Sequence, residues 1–422
     1  MKFLRIAICS LLVFGVLVHG GVEDWARAVF EASAGILFVV WAVRALVDSK
    51  EQLVISPLLP PLAALAFLVV VQLVFRFTAS SYDTRLDLLL LLADILVLFL
   101  ASQTFQTIDD FRGYVWFLMI FGFIVCSFAL LQQFAFNGKL YWFREMHYGG
   151  IPFGPYVNRN HFAGFAELIV PLSLVPLILG KVRRERLFVV GLFAVISIAA
   201  LFVSASRGGI ISFVFELFAI ALWIGFRSGA GKHTLIGAAV LLVAFLFVSW
   251  LGVSQILQRF STMQSLEVTE GKRAVMRLDT WHIFLDHPLI GTGLGTLQTV
   301  FPPYETLYDG KIVNHSHNDY LEALAETGLL GGLCCLWFLA SLFVESRRCL
   351  FPKEDSFAIV FQFAASVACI GFLIHELVDF NLHIPANALL FLLTANLATA
   401  DVQPSISGAS VTCRTRRRRR KP

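Results

Sequence analysis

Long apolar runs separated by short polar segments fill most of the chain. The runs are about 20 residues each, which is the length a helix needs to cross a bilayer. About twelve such runs are present, so the pattern predicts an all-α fold: a polytopic transmembrane helical bundle with a large, partly helical outer loop. The predicted spans are 1–20, 25–46, 56–76, 86–102, 113–136, 161–180, 187–204, 208–226, 234–252, 320–344, 357–377 and 383–400.

Composition agrees with this pattern. The 422 residues are 58% hydrophobic and 15% charged, with a mean hydropathy of +0.77, whereas soluble domains are about 25% charged. A soluble domain of useful size is therefore excluded. The first apolar run follows Lys2 and Arg5 and has the form of a signal peptide, but we favour an uncleaved first span because so many spans follow it.

The distribution of Lys and Arg sets the orientation. Basic residues concentrate in segments 181–186, 227–232 and 347–353 and in the tail, which the positive-inside rule places in the cytoplasm together with both termini. The basic run 416–421 follows the last span, so it indicates an anchor to anionic lipid rather than nucleic-acid binding. The seven cysteines fall in apolar spans or cytoplasmic segments and show no disulfide or zinc spacing.

Two outer loops are long, at roughly 137–160 and 253–319. The second exceeds the usual loop length several-fold, and long loops are usually functional or disordered. Its segment 273–286 has apolar residues at helical spacing, which predicts an ordered cap. The predicted organisation is N-terminal helices at 1–150, a membrane core at 151–400 that contains this loop, and a basic cytoplasmic tail at 401–422.

Polar residues that can move protons gather at the outer ends of the predicted spans. The segment 314–326 places His315 and His317 at the rim of an apolar helix, followed by Glu322 and Glu326 on one helix face. Ionisable groups at membrane depth are costly and usually mark a functional site. The alternative is a helix cap with interfacial polar residues. Two further clusters lie at 154–164 and 204–209.

Arg207 lies in a turn between two apolar spans and has small neighbours. Its guanidinium offers a bidentate fork for phosphate oxygens, and Gly208 and Gly209 would let an anion approach the backbone. The alternative is an arginine that extends to lipid headgroups. Arg277, in the large loop, could bind the same anion or be an ordinary surface arginine.

His317 suits a general base because imidazole titrates near neutral pH. The alternative is a metal site through His315 and His317. That pair supplies only two ligands, with Asp319 and Asp309 as further candidates, so the sequence favours a base over a metal. The segment 291–295 has glycine spacing like that of a nucleotide loop, but no strand precedes it, and we interpret it as a turn.

The alternative class of function is a proton-coupled transporter. Four acids fall within predicted spans, at Glu31, Asp94, Glu167 and Glu216. A transporter would place its polar groups near the membrane midplane, whereas here they gather at one face, which favours an enzyme. His375, Glu376 and Asp379 follow the eleventh span and either support this site or form an interfacial hydrogen-bond cluster.

Five segments in order resemble the O-antigen ligase family, polytopic bacterial enzymes that share a domain with O-antigen polymerases. The resemblance extends from about residue 150 to 400. Its segments are 158–164 (NRNHFAG), 206–209 (SRGG), 277–281 (RLDTW), 287–295 (HPLIGTGLG) and 317–331, which begins HNDYL and ends ETGLLG.

The resemblance implies a bundle of about twelve helices that transfers a glycan from undecaprenyl diphosphate to an acceptor hydroxyl. It implies no metal, cofactor or nucleotide sugar, inversion at the anomeric carbon, and a site at the periplasmic face of the bacterial inner membrane. Arg207 and Arg277 would hold the diphosphate and His317 would activate the acceptor, although His315 is a second candidate for the base. The supporting residues would be Asn158, Asn160, His161, Trp281, His315, Asn318 and Glu326.

The resemblance leaves the acceptor open. A ligase would use lipid A–core, a polymerase would use another repeat unit, and a protein hydroxyl is a third choice. Besides donor and acceptor, the expected partners are membrane lipids and not nucleic acid.

Overall fold

A computed structural model of the chain describes residues 1–47, 53–145, 151–228, 263–308, 310–350 and 356–403. Every regular element in these ranges is helical. The helices are α1 (Lys2–Leu17), α2 (Asp24–Val47), α3 (Leu59–Val74), α4 (Ser81–Thr104), α5 (Ile108–Phe134), α6 (Arg159–Ile178), α7 (Leu187–Val203), α8 (Arg207–Ser228), α9 (Met263–Asp286), α10 (Leu297–Val300), α11 (Asp319–Leu350), α12 (Phe357–His375) and α13 (Pro385–Thr399). The predicted span 234–252 and the basic tail lie outside these residues.

The helices confirm the predicted all-α polytopic membrane fold. Eight of those described are long and apolar enough to cross a bilayer, and α3 and α13 are shorter apolar helices. The predicted spans within the described residues each coincide with one helix. The largest difference is at α11, which continues to Leu350 rather than ending at 344.

The helices begin where the sequence supplies caps. The side chains of Ser80, Thr107 and Ser356 each accept a hydrogen bond of 3.3 Å from the backbone N–H three residues later. Each cap satisfies one of the backbone N–H groups that a helix start leaves unpaired. In α13, Pro385 occupies the first turn, where its missing N–H costs nothing.

α6 and α12 form the centre of the bundle. In the most apolar stretch of α6, 89% of the residues are buried, compared with 17% in α2 at the periphery. Close approach at the centre depends on small residues: a Cβ on Gly122 in α5 would stand 2.2 Å from Ile169 of α6. The centre of the bundle is therefore packed and has no room for larger side chains at such positions.

Both ends of the described chain lie at the same end of the bundle. Arg5 near the start of α1 forms an ion pair with Asp110 in the first turn of α5. Beyond α13, the backbone N–H of Gln403 donates to the carbonyl of Gln106 at 2.9 Å. This arrangement agrees with an even number of crossings between the two termini, as the sequence analysis expects.

The segment before α11 is ordered and packs on the bundle. The prediction of a helix at 273–286 is confirmed by α9, which ends at Asp286. A second apolar core joins α9 and α10 to the start of α11 and consists of Met276, Ile283, Phe284, Leu297, Phe301, Val313 and Ala325. This core fixes the described part of the long outer loop over the first turns of α11.

Gly328 interrupts α11 with a backbone conformation that the sequence analysis did not anticipate. Its φ of 63° and ψ of −166° lie in a region that only glycine adopts readily. The N–H groups of Leu329 and Leu330 donate instead to the carbonyls of Pro288 and Leu289, at 2.8 and 3.2 Å. The break thus ties α11 to the loop that follows α9.

Gly328→Ala is expected to destabilise the protein. The backbone conformation alone should cost about 1–3 kcal/mol, and the new Cβ would stand 2.4 Å from the carbonyl carbon and oxygen of Leu289. Thermal unfolding of the detergent-purified protein measures this loss. The matched control is Gly113→Ala in α5, where no atom lies within 4 Å of the new Cβ. Equal melting temperatures for the two variants would contradict the prediction.

Candidate active site

Three helices begin at one end of the bundle, which we call the histidine end because His315 and His317 lie there. Asn158, Ser206 and Asn318 cap these helices: their side-chain oxygens accept backbone hydrogen bonds of 3.0, 3.2 and 3.0 Å at the starts of α6, α8 and α11. α12 ends at the same place, since the N–H of Asp319 donates to the carbonyl of Glu376. Helix starts carry partial positive charge, so this end favours anions.

Asp379 lies at the centre of the histidine end, and its side chain is 1% exposed. Three imidazoles surround the carboxylate: His317 Nδ1 and His161 Nε2 lie 3.5 and 3.9 Å from Oδ1, and His375 Nε2 lies 4.0 Å from Oδ2. His375 is held from its other side by Glu167, at 3.0 Å from Nδ1. The arrangement joins histidines from three separate parts of the sequence around one buried charge.

Phe380 fills the space between the histidines. His315 stacks on its ring at 4.4 Å, and His161 and His317 approach it edge-on at 4.8 and 4.9 Å between ring centroids. Aromatic contacts of this kind add about 0.5–1.5 kcal/mol each to ordinary burial. Phe380 thereby fixes the orientation of all three imidazoles.

His317 has a left-handed backbone, with φ of 54°. Such conformations are uncommon for residues other than glycine and cluster at functional sites. The strain aims the imidazole at Asp379 and leaves its side chain 20% exposed. His317 is thus both anchored in the protein and accessible from outside.

His315 belongs to a different group of contacts. Its Nδ1 lies 2.7 Å from Oε1 of the buried Glu322, and His383 Nε2 approaches the same oxygen at 3.3 Å. His383 Nδ1 in turn donates to Asp319 at 2.8 Å. The two imidazoles of the alternative metal pair, His315 and His317, thus face different carboxylates. Asp309 lies outside the described residues.

Three groups near the ends of α12 and α13 have shifted pKa values. Burial raises the pKa of Glu376 well above its ordinary value, and the neighbouring acid Asp319 raises it further. Burial would also raise the pKa of Asp379, but the contact with His317 and the other imidazoles hold it below the ordinary value. Burial would lower the pKa of His383, yet its neighbouring carboxylates raise it well above the usual range. The site therefore favours the ionised form of Asp379 and the protonated form of Glu376.

The turn before α8 packs directly on this cluster. A Cβ on Gly208 would stand 2.4 Å from His375, and one on Gly209 would stand 2.7 Å from Ala163. Both glycines are thus required for close packing, and the interpretation that they also let an anion approach the backbone stays a prediction. The side chain of Arg207 itself is exposed at the histidine end, one residue before the contact with His375.

Arg277 and Trp281 lie on α9. Trp281 is 41% exposed and contacts Phe284, and Arg277 is half-buried. Within the described part of the chain, no hydrogen bond or ion pair connects either residue to the histidine cluster. Arg273, one turn before Arg277, lies near enough to His375 to interact with it electrostatically. Arg273, near the middle of α9, is therefore the residue of this helix that approaches the site.

Glu326 and the glycine turn hold each other in place. The Glu326 carboxylate accepts hydrogen bonds of 2.9 Å from the backbone N–H groups of Gly295 and Leu297. Gly291, Gly293 and Gly295 all have positive φ, which confirms the prediction of a turn. The contacts of Glu326 are those of a loop anchor and not of the histidine cluster.

Residues 192–336 match the family model of the O-antigen ligase. This part of the chain is therefore similar to the O-antigen ligase family. No curated protein matches the chain. The O-antigen ligase domain supports a glycosyl-transfer function of the ligase or polymerase type, and the apolar helices make the protein a membrane protein.

The O-antigen ligase domain includes Arg207, Arg277 and His317, whereas several residues that complete the site lie beyond it. His161 precedes the matched region, and Asp379 and His383 follow it. From the sequence, Asp379 is only a supporting candidate, and neither His383 nor Phe380 stands out. A four-residue spacing links His375, Asp379 and His383 in the sequence, and this regular spacing is the signal that could have drawn attention to them.

Proposed function

We propose that the protein transfers a glycan from undecaprenyl diphosphate to an acceptor hydroxyl, with lipid A–core as the acceptor of an O-antigen ligase. The observation that carries the proposal is the His317–Asp379 pair, which lies beside the starts of α6, α8 and α11. A partly exposed imidazole with a buried carboxylate behind it is suited to remove a proton. Three helix starts suit a diphosphate.

His317 is the proposed base. Because Nδ1 faces Asp379 at 3.5 Å, the carboxylate favours the tautomer with its proton on Nδ1 and leaves Nε2 to accept the hydroxyl proton. His315 faces Glu322 through Nδ1 in the same way, but it shares that carboxylate with His383 and its ring lies flat on Phe380, so we assign the base to His317.

Arg207 and Arg277 are the proposed diphosphate ligands. The donor releases its lipid diphosphate as an anion, so two guanidinium groups and the start of α8 stabilise the charge that develops as the glycosidic bond breaks. In this scheme the step needs no metal ion. Attack by the hydroxyl from the face opposite the diphosphate inverts the anomeric centre.

The proposal places the histidine end at the periplasmic face of the bacterial inner membrane and both termini in the cytoplasm. Its support is the excess of Lys and Arg in the segments assigned to the inside. The proposed donor reaches that face already activated as a lipid diphosphate, so the enzyme needs no nucleotide site. The glycine-rich turn at 291–295 is accordingly filled by contacts with the protein's own residues.

Cells that lack the gene and are complemented with wild-type, Arg207→Ala or Arg277→Ala protein test the function. We expect wild type to restore long glycan on lipid A–core and each variant to lose most of it, while polymer accumulates on undecaprenyl diphosphate. Arg85→Ala is the matched control, since Arg85 is also an exposed arginine near the start of a helix, α4. Gel analysis of surface glycans and blotting for each variant give the readout.

Other outcomes of that experiment identify the alternatives. Accumulation of single repeat units would indicate a polymerase, and loss of glycan from a protein would indicate protein O-glycosylation. Unchanged glycans in well-expressed variants would contradict glycosyl transfer. They would instead favour a proton-coupled transporter, for which Asp94 and Glu216 are two candidate acids within helices, each with a buried oxygen that has no hydrogen-bond partner among the described residues.

A further inference from the structure

Three potential metal ligands converge between the start of α11 and the segment that precedes α13. His315 Nδ1 and His383 Nε2 approach Glu322 Oε1 at 2.7 and 3.3 Å, and all three ligand atoms lie within 4.8 Å of one another. A tetrahedral ion with bonds of about 2.0–2.1 Å requires ligand atoms roughly 3.3 Å apart. Small rotations of the imidazoles are therefore enough to reach that geometry.

The residues around these three side chains fix their orientation, as residues behind metal ligands usually do. His383 donates its other ring N–H to Asp319 at 2.8 Å, which is the carboxylate–histidine arrangement found behind most metal-binding histidines. The second oxygen of Glu322 accepts the backbone N–H of Ser316 at 2.8 Å. The ring of His315 is fixed by stacking on Phe380.

The charge of the group also favours a cation. The side chains of Asp319 and Glu322 are 4% and 1% exposed; both face the imidazole of His383, and Glu322 also faces that of His315. Buried carboxylates need a compensating positive charge, which a divalent cation bound by neutral imidazoles would supply. The partly exposed edges of His315 and His383, at 28% and 23%, give an ion access from outside.

We propose that His315, Glu322 and His383 bind a divalent transition-metal ion, for which Zn²⁺ is the best match to two imidazoles and one carboxylate. Three protein ligands leave a fourth position for water or another small ligand. The ion would fix the loop two residues before His317. No step of the proposed glycosyl transfer passes through it, because His317 faces Asp379.

Zinc binding by the purified full-length protein tests this proposal independently of any glycan assay. After chelator treatment and dialysis against Zn²⁺, we expect one zinc per chain by elemental mass spectrometry. His383→Gln and Glu322→Gln should each weaken binding by more than about 100-fold, and Asp319→Asn by roughly 10- to 100-fold as a residue behind the ligand. His282→Gln removes an exposed histidine elsewhere and is expected to bind like wild type.

Two further readouts on the unmutated chain keep the test decisive if a variant does not fold. Zn²⁺ should protect His315 and His383, but not His282, from diethylpyrocarbonate, as mapped by peptide mass spectrometry. The absorption spectrum with Co²⁺ should show tetrahedral coordination without thiolate bands. Absence of bound zinc, equal binding by His383→Gln, unprotected His315 and His383, or thiolate bands from cysteine would each overturn the proposal.

Discussion

His317→Ala is expected to lower the rate of glycan transfer by about 10²- to 10⁴-fold, the range typical of a lost general base. The residue combines a left-handed backbone, a partly exposed ring and a buried carboxylate behind Nδ1. Alanine removes the proton acceptor and leaves the arginines that we propose for donor binding. The loss should therefore appear in kcat, with little change in KM for the donor.

The measurement is transfer from a purified lipid-diphosphate donor by each variant in detergent, compared at equal protein and after equal gel-filtration behaviour. His315→Gln is the discriminating variant, because it removes the other imidazole from the same loop. We expect a smaller loss for His315→Gln than for His317→Ala, and none for His282→Gln. A larger loss in His315→Gln than in His317→Ala would assign the base to His315 instead.

The membrane fold is predictable from the sequence because a bilayer requires each crossing to be a long apolar helix. This requirement is local, so α2 to α8 appear in the sequence as separate runs. The helix α9 is predictable for a related reason, since its apolar residues recur at helical spacing and pack into a second core. The break at Gly328 is not predictable in this way, because it depends on carbonyls of the preceding loop.

The site is less predictable because its contacts join residues far apart in the sequence. The order of residues suggests that His315 and His317 act together, but contacts with Glu322 and Asp379 separate them. Glycine at 208 also has a packing role that local sequence does not show, because His375 of α12 fills the position of its missing side chain. Local sequence shows which residue types are available, and the packing of distant helices decides which of them meet.

Glu326 illustrates the same limit. Its four-residue spacing from Glu322 predicts that the two carboxylates share a helix face. In the structure Glu322 faces two histidines, while Glu326 accepts backbone N–H groups from the glycine turn. One turn of helix is enough to separate a residue of the histidine end from a residue that anchors a loop.

Asp379→Asn is expected to be nearly as damaging as loss of His317, at about 10²-fold or more. In the Ser–His–Asp triad, the corresponding Asp to Asn change leaves the geometry intact and costs about 10⁴-fold because the histidine takes the wrong tautomer. Asparagine has nearly the size of aspartate, and its oxygen can still accept the backbone N–H of Phe380, which donates to Asp379 at 3.0 Å. The fold should therefore survive while the negative charge beside His317 is lost.

The kinetic signature separates this positioning role from a merely structural one. Asp379→Asn should lower kcat while KM for the donor stays near the wild-type value, whereas Arg207→Ala should raise KM as well. Because Asp379 acts through His317, the double variant Asp379→Asn/His317→Ala should be little worse than His317→Ala alone. If the rate losses of the two single variants multiply in the double variant, Asp379 supports transfer by a route other than His317, such as its contacts with His161 and His375.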